Sequence, residues 1–280
     1  MDLTVFLAVL AAAFMHAGWN VLVKLNLDRF LSLFMLQTLM GVMGFGMLAA
    51  FGMPASESFL YALTSGVLHT GYNLFLARSY RSGDLSQVYP IARGTAPLLT
   101  LLITWLVAHE AVSALTAIAV GILVTGIWLT GLTGKKELRL DGMTFASALI
   151  TSVFIALYTV VDGLGGRISG NPSGYAALVF ILDGLFLLGV GLRMRGPGII
   201  MAVVPFLKSG VFGAALSACA YWIVIWAMSK APIAAVAALR ETSILFVILM
   251  SSRVLAEKIT MPRAIGAALI VAGAVAIRMS

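Results

Sequence analysis

Two arginines and a glutamate sit in the most apolar parts of this chain. Arg93 lies in Tyr89-Pro90-Ile91-Ala92-Arg93-Gly94-Thr95-Ala96-Pro97, which runs on as Leu98-Leu99-Thr100-Leu101-Leu102-Ile103-Thr104-Trp105-Leu106-Val107. Arg240 and Glu241 lie in Ala238-Leu239-Arg240-Glu241-Thr242. An arginine deep in a bilayer costs at least ~2.5 kcal/mol, so both should face protein or water. Pro90 and Pro97 free backbone carbonyls that something must re-satisfy, which again points inward. The chemistry open to such groups is recognition. A guanidinium grips a carboxylate through paired N–H donors, and a carboxylate in the same place meets an ammonium or carries a proton. The competing reading is structural: an ion pair holding two parts of the molecule together.

Further polar groups fall inside apolar runs. Asp183 is central in Ile181-Leu182-Asp183-Gly184-Leu185, and His16 and His69 lie within the first and third runs. With Glu241 they are the candidate proton sites. Each also has a structural reading, as a partner of an arginine or as a neutral histidine bonded between helices. Trp19, Asn20, Tyr72, Asn73, Tyr89, Tyr158, Tyr221 and Trp222 are amphipathic aromatics and amides. With Arg93, Arg240 and Glu241 they are the expected lining of a pocket for amino acids or flat organic molecules. Trp and Tyr are also enriched at membrane interfaces, which is the competing explanation. Trp105, Trp128 and Trp226 fit that belt or the core better. Glu110 and Glu257 are expected to fix turns at helix ends.

The elements that must position these residues follow from composition. Of 280 residues 61% are hydrophobic and 10% charged, against about 25% charged in a soluble domain. Apolar runs of about 20 residues recur along the chain, as in membrane-spanning helices. Ten spans are predicted: Leu3–Val23, Phe30–Phe51, Phe59–Ser79, Leu85–Val107, Ser113–Thr133, Gly142–Val161, Tyr175–Leu192, Ser209–Ser229, Ile233–Ser252 and Pro262–Met279. A polar linker, residues 135–141, divides them five and five, giving domains 1–134 and 142–280. The opening Met1-Asp2-Leu3-Thr4 lacks the basic start of a secretory signal, so the first run is expected to remain a helix.

The halves echo one another. At an offset of 147, Arg93 falls on Arg240, Thr95 on Thr242, Glu110 on Glu257 and Gly126 on Gly273. Ala17-Gly18-Trp19-Asn20-Val21 matches Ala156-Leu157-Tyr158-Thr159-Val160, and Gly71-Tyr72-Asn73 matches Ala220-Tyr221-Trp222. Five spans per copy is odd, so the second copy enters the membrane inverted, and such repeats place a substrate site near the midplane between them. Thirteen Lys and Arg lie on the side reached after odd-numbered spans, and only Arg167, Lys230 and Arg278 on the other. The basic side is therefore read as cytoplasmic, with both termini outside.

The sequence resembles the drug/metabolite transporter superfamily, in particular its ten-helix EamA-type permeases. The residues that carry this are Trp19, Asn20 and Lys24, then Glu110 with Gly121 and Gly126. The second copy matches better, in Leu255-Ala256-Glu257-Lys258-Ile259-Thr260 through Gly266 to Gly273. Within that group it looks most like the YddG-type amino-acid exporters. The resemblance implies an all-α integral membrane protein around a central cavity, sited in the inner membrane, that exports small organic metabolites by alternating access. It also implies a peripheral seventh helix, which favours a structural role for Asp183. A multidrug or organic-cation exporter is the alternative.

An intramembrane enzyme is less favoured. His109-Glu110 is followed by Ala111-Val112-Ser113, so the two-histidine zinc pattern is missing, and no nucleophile elbow or P-loop occurs. A channel would want a repeated ring of like groups. No cofactor or metal is expected; the single Cys219 excludes an internal disulfide and a thiol cluster. The expected partners are a small-molecule substrate and lipid, not nucleic acid, and a monomer suffices.

Overall fold

A backbone inside a bilayer must satisfy its own N–H and C=O groups, and a helix does this within a single segment. The computed structural model describes residues 1–23, 29–82, 85–132, 142–254 and 260–280. Within them it describes all side chains except those of 21–23, 79–82, 85–90, 132 and 251–254. The first-copy helices are α1 (Leu3–Val23), α2 (Arg29–Phe51), α3 (Phe59–Ser82), α4 (Leu85–Leu106) and α5 (Ala114–Leu132). The rest are α6 (Gly142–Ile168), α7 (Pro172–Arg195), α8 (Gly198–Val203), α9 (Leu207–Met228), α10 (Ile233–Arg240), α11 (Ser243–Val254) and α12 (Met261–Met279). No strand occurs among the described residues. The linker 135–141, like Lys24 and Glu257, lies outside them.

Among the described residues eight helical stretches are long and apolar enough to cross a membrane, and Ile91–Leu106 is a shorter apolar helix. Helix α3, expected as the third span, is not among the eight because it carries Ser65, His69, Thr70, Tyr72 and Asn73. Most predicted ends shift by three residues or fewer, and two spans differ by more. The sixth span runs on past Val161 to Ile168, and the ninth is two helices, α10 and α11, parted at Glu241-Thr242. Large apolar side chains such as Val42, Leu60 and Val67 stand exposed around the outside, a surface that suits lipid and not water. Inside, helix hydroxyls return to the carbonyl one turn back, Thr100 to Ala96 at 2.9 Å and Thr151 to Ser147 at 2.7 Å, which keeps these groups paired within their own helices.

Packing is reciprocal between the copies. Helix α2 packs on α7, α5 on α12, α3 on α6, α1 on α9, and α4 on α10. Counting spans within each copy, second meets second, fourth meets fourth, fifth meets fifth, and first and third exchange. That is the pattern a two-fold axis relating the copies produces. The tightest contact is α5 on α12. A Cβ on Gly126 would stand 2.6 Å from the Gly266 carbonyl oxygen, and one on Gly273 2.8 Å from that of Ala119. Small residues at these points let the backbones touch.

One end of the bundle is stitched by polar contacts. Ala55 N–H donates to Ser169 O at 2.9 Å, and the Asn171 amide donates to Phe51 O at 2.8 Å. Arg167 donates to Met228 O and Ala231 O, both at 2.9 Å. Glu110 accepts from Arg167 at 2.7 Å and from Ile233 N–H at 3.1 Å. It thereby caps the N-terminus of α10 and does the turn-fixing expected of it, across the two copies.

Candidate functional site

The site is built where α10 stops. Glu241 and Thr242 donate to Ala238 O and Leu239 O, both at 3.0 Å, and Ile244 and Leu245 donate to Glu241 O and Thr242 O at 3.1 and 2.9 Å. These three-residue spacings replace α-helical ones, so the chain tightens and Glu241 turns toward α4. Helix α4 behaves in the opposite way. It stays helical through Pro90 and Pro97, and Ser152 of α6 donates to Ala92 O at 2.9 Å, docking the turn that carries Arg93.

Arg93 Nε donates to Glu241 Oε2 at 2.7 Å, while Arg240 Nε lies 3.5 Å from Glu241 Oε1. All three residues are buried. One carboxylate therefore sits between the two arginines that the repeat places in register, leaving a net charge of +1 in the cluster. Arg240 also lies over the Tyr158 ring, its Cζ 6.0 Å from the centroid. His69 stacks on that ring at 4.0 Å, and Tyr72 and Tyr221 meet it edge-on at 5.6 and 6.1 Å. His69 is anchored through Nδ1 to Ser65, whose hydroxyl is 3.1 Å away.

These groups face a cavity of about 60 Å³. Its wall takes His16 and Trp19 from α1, Gln37 from α2, His69, Tyr72 and Asn73 from α3, and Arg93 from α4. The second copy supplies Tyr158, Asp183, Ser217, Tyr221 and Arg240. Three expected lining residues are elsewhere. Asn20 folds back onto its own helix, donating to His16 O at 2.8 Å. Trp222 points to the stitched end, donating to Ser173 Oγ at 2.9 Å and packing on Phe51. Glu241 is fully buried behind the arginines and does not reach the wall. The side chain of Tyr89 lies outside the described residues.

Asp183 is not peripheral. It accepts from Gln37 Nε2 at 2.6 Å and borders the cavity. Of the candidate proton sites, His16 accepts from Trp19 Nε1 at 3.3 Å. Three functional-looking groups were missed. Gln37 had a signal, since it is one of only two glutamines in the chain and interrupts an apolar helix. Asp162 was hidden because the sixth helix was expected to end one residue before it; it is buried and accepts from Tyr175 at 3.0 Å and from Tyr221. Ser217 carried no distinguishing signal. Among the described residues no group of His, Cys, Asp and Glu could hold a metal ion.

A cavity between two copies of one helical unit narrows the comparison to duplicated membrane proteins. The model of the EamA-like transporter family matches the chain twice, over residues 3–132 and 142–279. The chain belongs to the EamA-like transporter family. No curated protein matches its sequence. A solved structure described only as "Crystal structure of protein" is similar with a TM-score of 0.73 at 14% identity, over 99% of this chain and 96% of that one. That likeness speaks to the fold. EamA-like membership makes this a multi-pass membrane transporter of the drug/metabolite superfamily, with a small-molecule substrate and a lipid surround.

Proposed function

We propose that this EamA-like protein is a secondary transporter that exports amino acids, aromatic or otherwise neutral, and related metabolites, in the manner of the YddG-type exporters. The observation that carries the reading is the cavity itself. It lies between the copies and sets Arg93 and Arg240 beside Tyr72, Tyr158, Tyr221 and Asn73, a guanidinium pole for a carboxylate with an aromatic wall for a side chain. In this reading ten spans form inverted five-helix repeats, residues 1–134 and 142–280, in the inner membrane with both termini on the non-cytoplasmic side. The reciprocal packing and the basic side support it, since the stitched end gathers α2 by its C-terminus and its counterpart α7 by its N-terminus. Exchange between two packings of the copies would open the cavity to each face in turn.

The test is efflux from proteoliposomes loaded with amino acids and aromatic cations, with and without a pH gradient. Saturable amino-acid efflux, weakened by Arg240→Gln more for carboxylate substrates than for cations, is the expected result. Movement of cations alone would shift the assignment to an organic-cation exporter.

A further inference from the structure

The cavity has a second polar corner that the arginines do not use. Asp183 and Gln37 are buried and joined by one hydrogen bond of 2.6 Å, from Gln37 Nε2 to Asp183 Oδ2. That bond leaves Asp183 Oδ1 and Gln37 Oε1 buried and without a partner. Reversing the amide would set Oε1 against the carboxylate, so the free oxygen of Gln37 is assigned by chemistry. Asn73, also on the wall, is wholly buried and neither its Oδ1 nor its Nδ2 has a partner. Three acceptor oxygens on α2, α3 and α7, one of them a carboxyl oxygen, are thus held out of water on residues that line the cavity. Buried polar atoms without partners are rare and point to a ligand that completes them.

We infer that Asp183, Gln37 and Asn73 form a seat for the ammonium group of the transported molecule. An ammonium has three N–H donors and no acceptor, which is the complement of three oxygens. The arginine corner presents guanidinium donors and the Asp183 corner presents acceptor oxygens, so the cavity is polarised across its width. Such a wall selects a zwitterion over a plain carboxylate or a plain amine. The inference rests on the reading of the cavity as a substrate site, and it makes Asp183 the residue that sets specificity.

The experiment is isothermal titration of the purified full-length protein with L-phenylalanine, phenethylamine and 3-phenylpropionate, each in sodium and in choline salts. The wild type should bind phenylalanine tightest. Asp183→Asn, which keeps an acceptor for Gln37, should weaken phenylalanine and phenethylamine at least about tenfold, as loss of a charge-assisted bond implies, while 3-phenylpropionate stays within about twofold. An equal loss for all three would make Asp183 structural and overturn the inference. So would binding of all three that requires sodium, which would give the oxygens to an alkali ion. If Asp183→Asn does not fold, the wild-type ranking decides: 3-phenylpropionate binding as well as phenylalanine overturns the ammonium seat alone. Failure of all three to bind removes the substrate cavity as well.

Discussion

Replacing Glu241 by Gln removes the only carboxylate that touches Arg93 and Arg240 among the described residues, and leaves two buried cations facing each other. The N–O separations of 2.7 and 3.5 Å give gross attractions of about 6 and about 5 kcal/mol at an effective dielectric constant of ~20. Most of this is offset by the desolvation of three charges. What a substitution reads is the charge left behind, and stripping one partner from a buried pair costs about 3–5 kcal/mol. Glu241→Gln should fall at the upper end of that range because both arginines lose their counter-charge. Arg93→Gln should cost less, about 1.5–3 kcal/mol for one charge-assisted hydrogen bond, since Glu241 keeps Arg240. Unfolding in mixed micelles by titration with dodecyl sulfate, followed by circular dichroism, measures both. The double substitution should cost less than the sum of the two. A Glu241→Gln protein within about 0.5 kcal/mol of wild type, as for a surface change, would refute the cluster as a stabilising element. Equal costs for the two single changes would refute the charge argument.

Three further outcomes are expected. Gly126→Ala should destabilise by about 1–3 kcal/mol in the same unfolding assay, because its Cβ would meet the Gly266 carbonyl oxygen at 2.6 Å, whereas Gly121→Ala, with nothing within 4 Å, should be near neutral. Asn73→Leu should raise stability by up to about 1–3 kcal/mol, by removing a buried amide with no partner, and lower amino-acid efflux. Glu110→Ala should uncap α10 and cost about 0.5–2 kcal/mol; proteolysis at residues 107–113 and 229–232 should speed up with it.

Most of the helical order was legible because apolar length alone marks a span, and α1 begins and ends where hydropathy says. Which way each side chain points was not. In a soluble helix the buried face is the apolar one, but lipid is as apolar as a protein core, so the contrast that reveals a face is lost. The failures are neighbours in sequence. Trp19 lines the cavity and Asn20 does not; Tyr221 does and Trp222 does not; Arg240 does and Glu241 does not. A step of one residue turns a helix by about 100°, and nothing in composition says which member of a pair faces in. The break in α10–α11 was hidden for another reason. Prolines advertise a disrupted helix, yet they sit in α4, which stays whole, while the interrupted helix has none and parts at a charge pair.

The shared carboxylate also bears on ancestry. With Arg93 aligned on Arg240, Gly94 falls where the second copy has Glu241. A chain built from two first copies would bury two guanidiniums without the Glu241 carboxylate, so the first unit alone cannot reconstitute the pair. Nor can the acid simply be restored to the first copy, because Trp128 has taken the room beside Gly94, its ring Nε1 2.6 Å from where a Cβ would stand. The dependence runs one way: the first half takes its counter-charge from the second, which carries both members of its own pair.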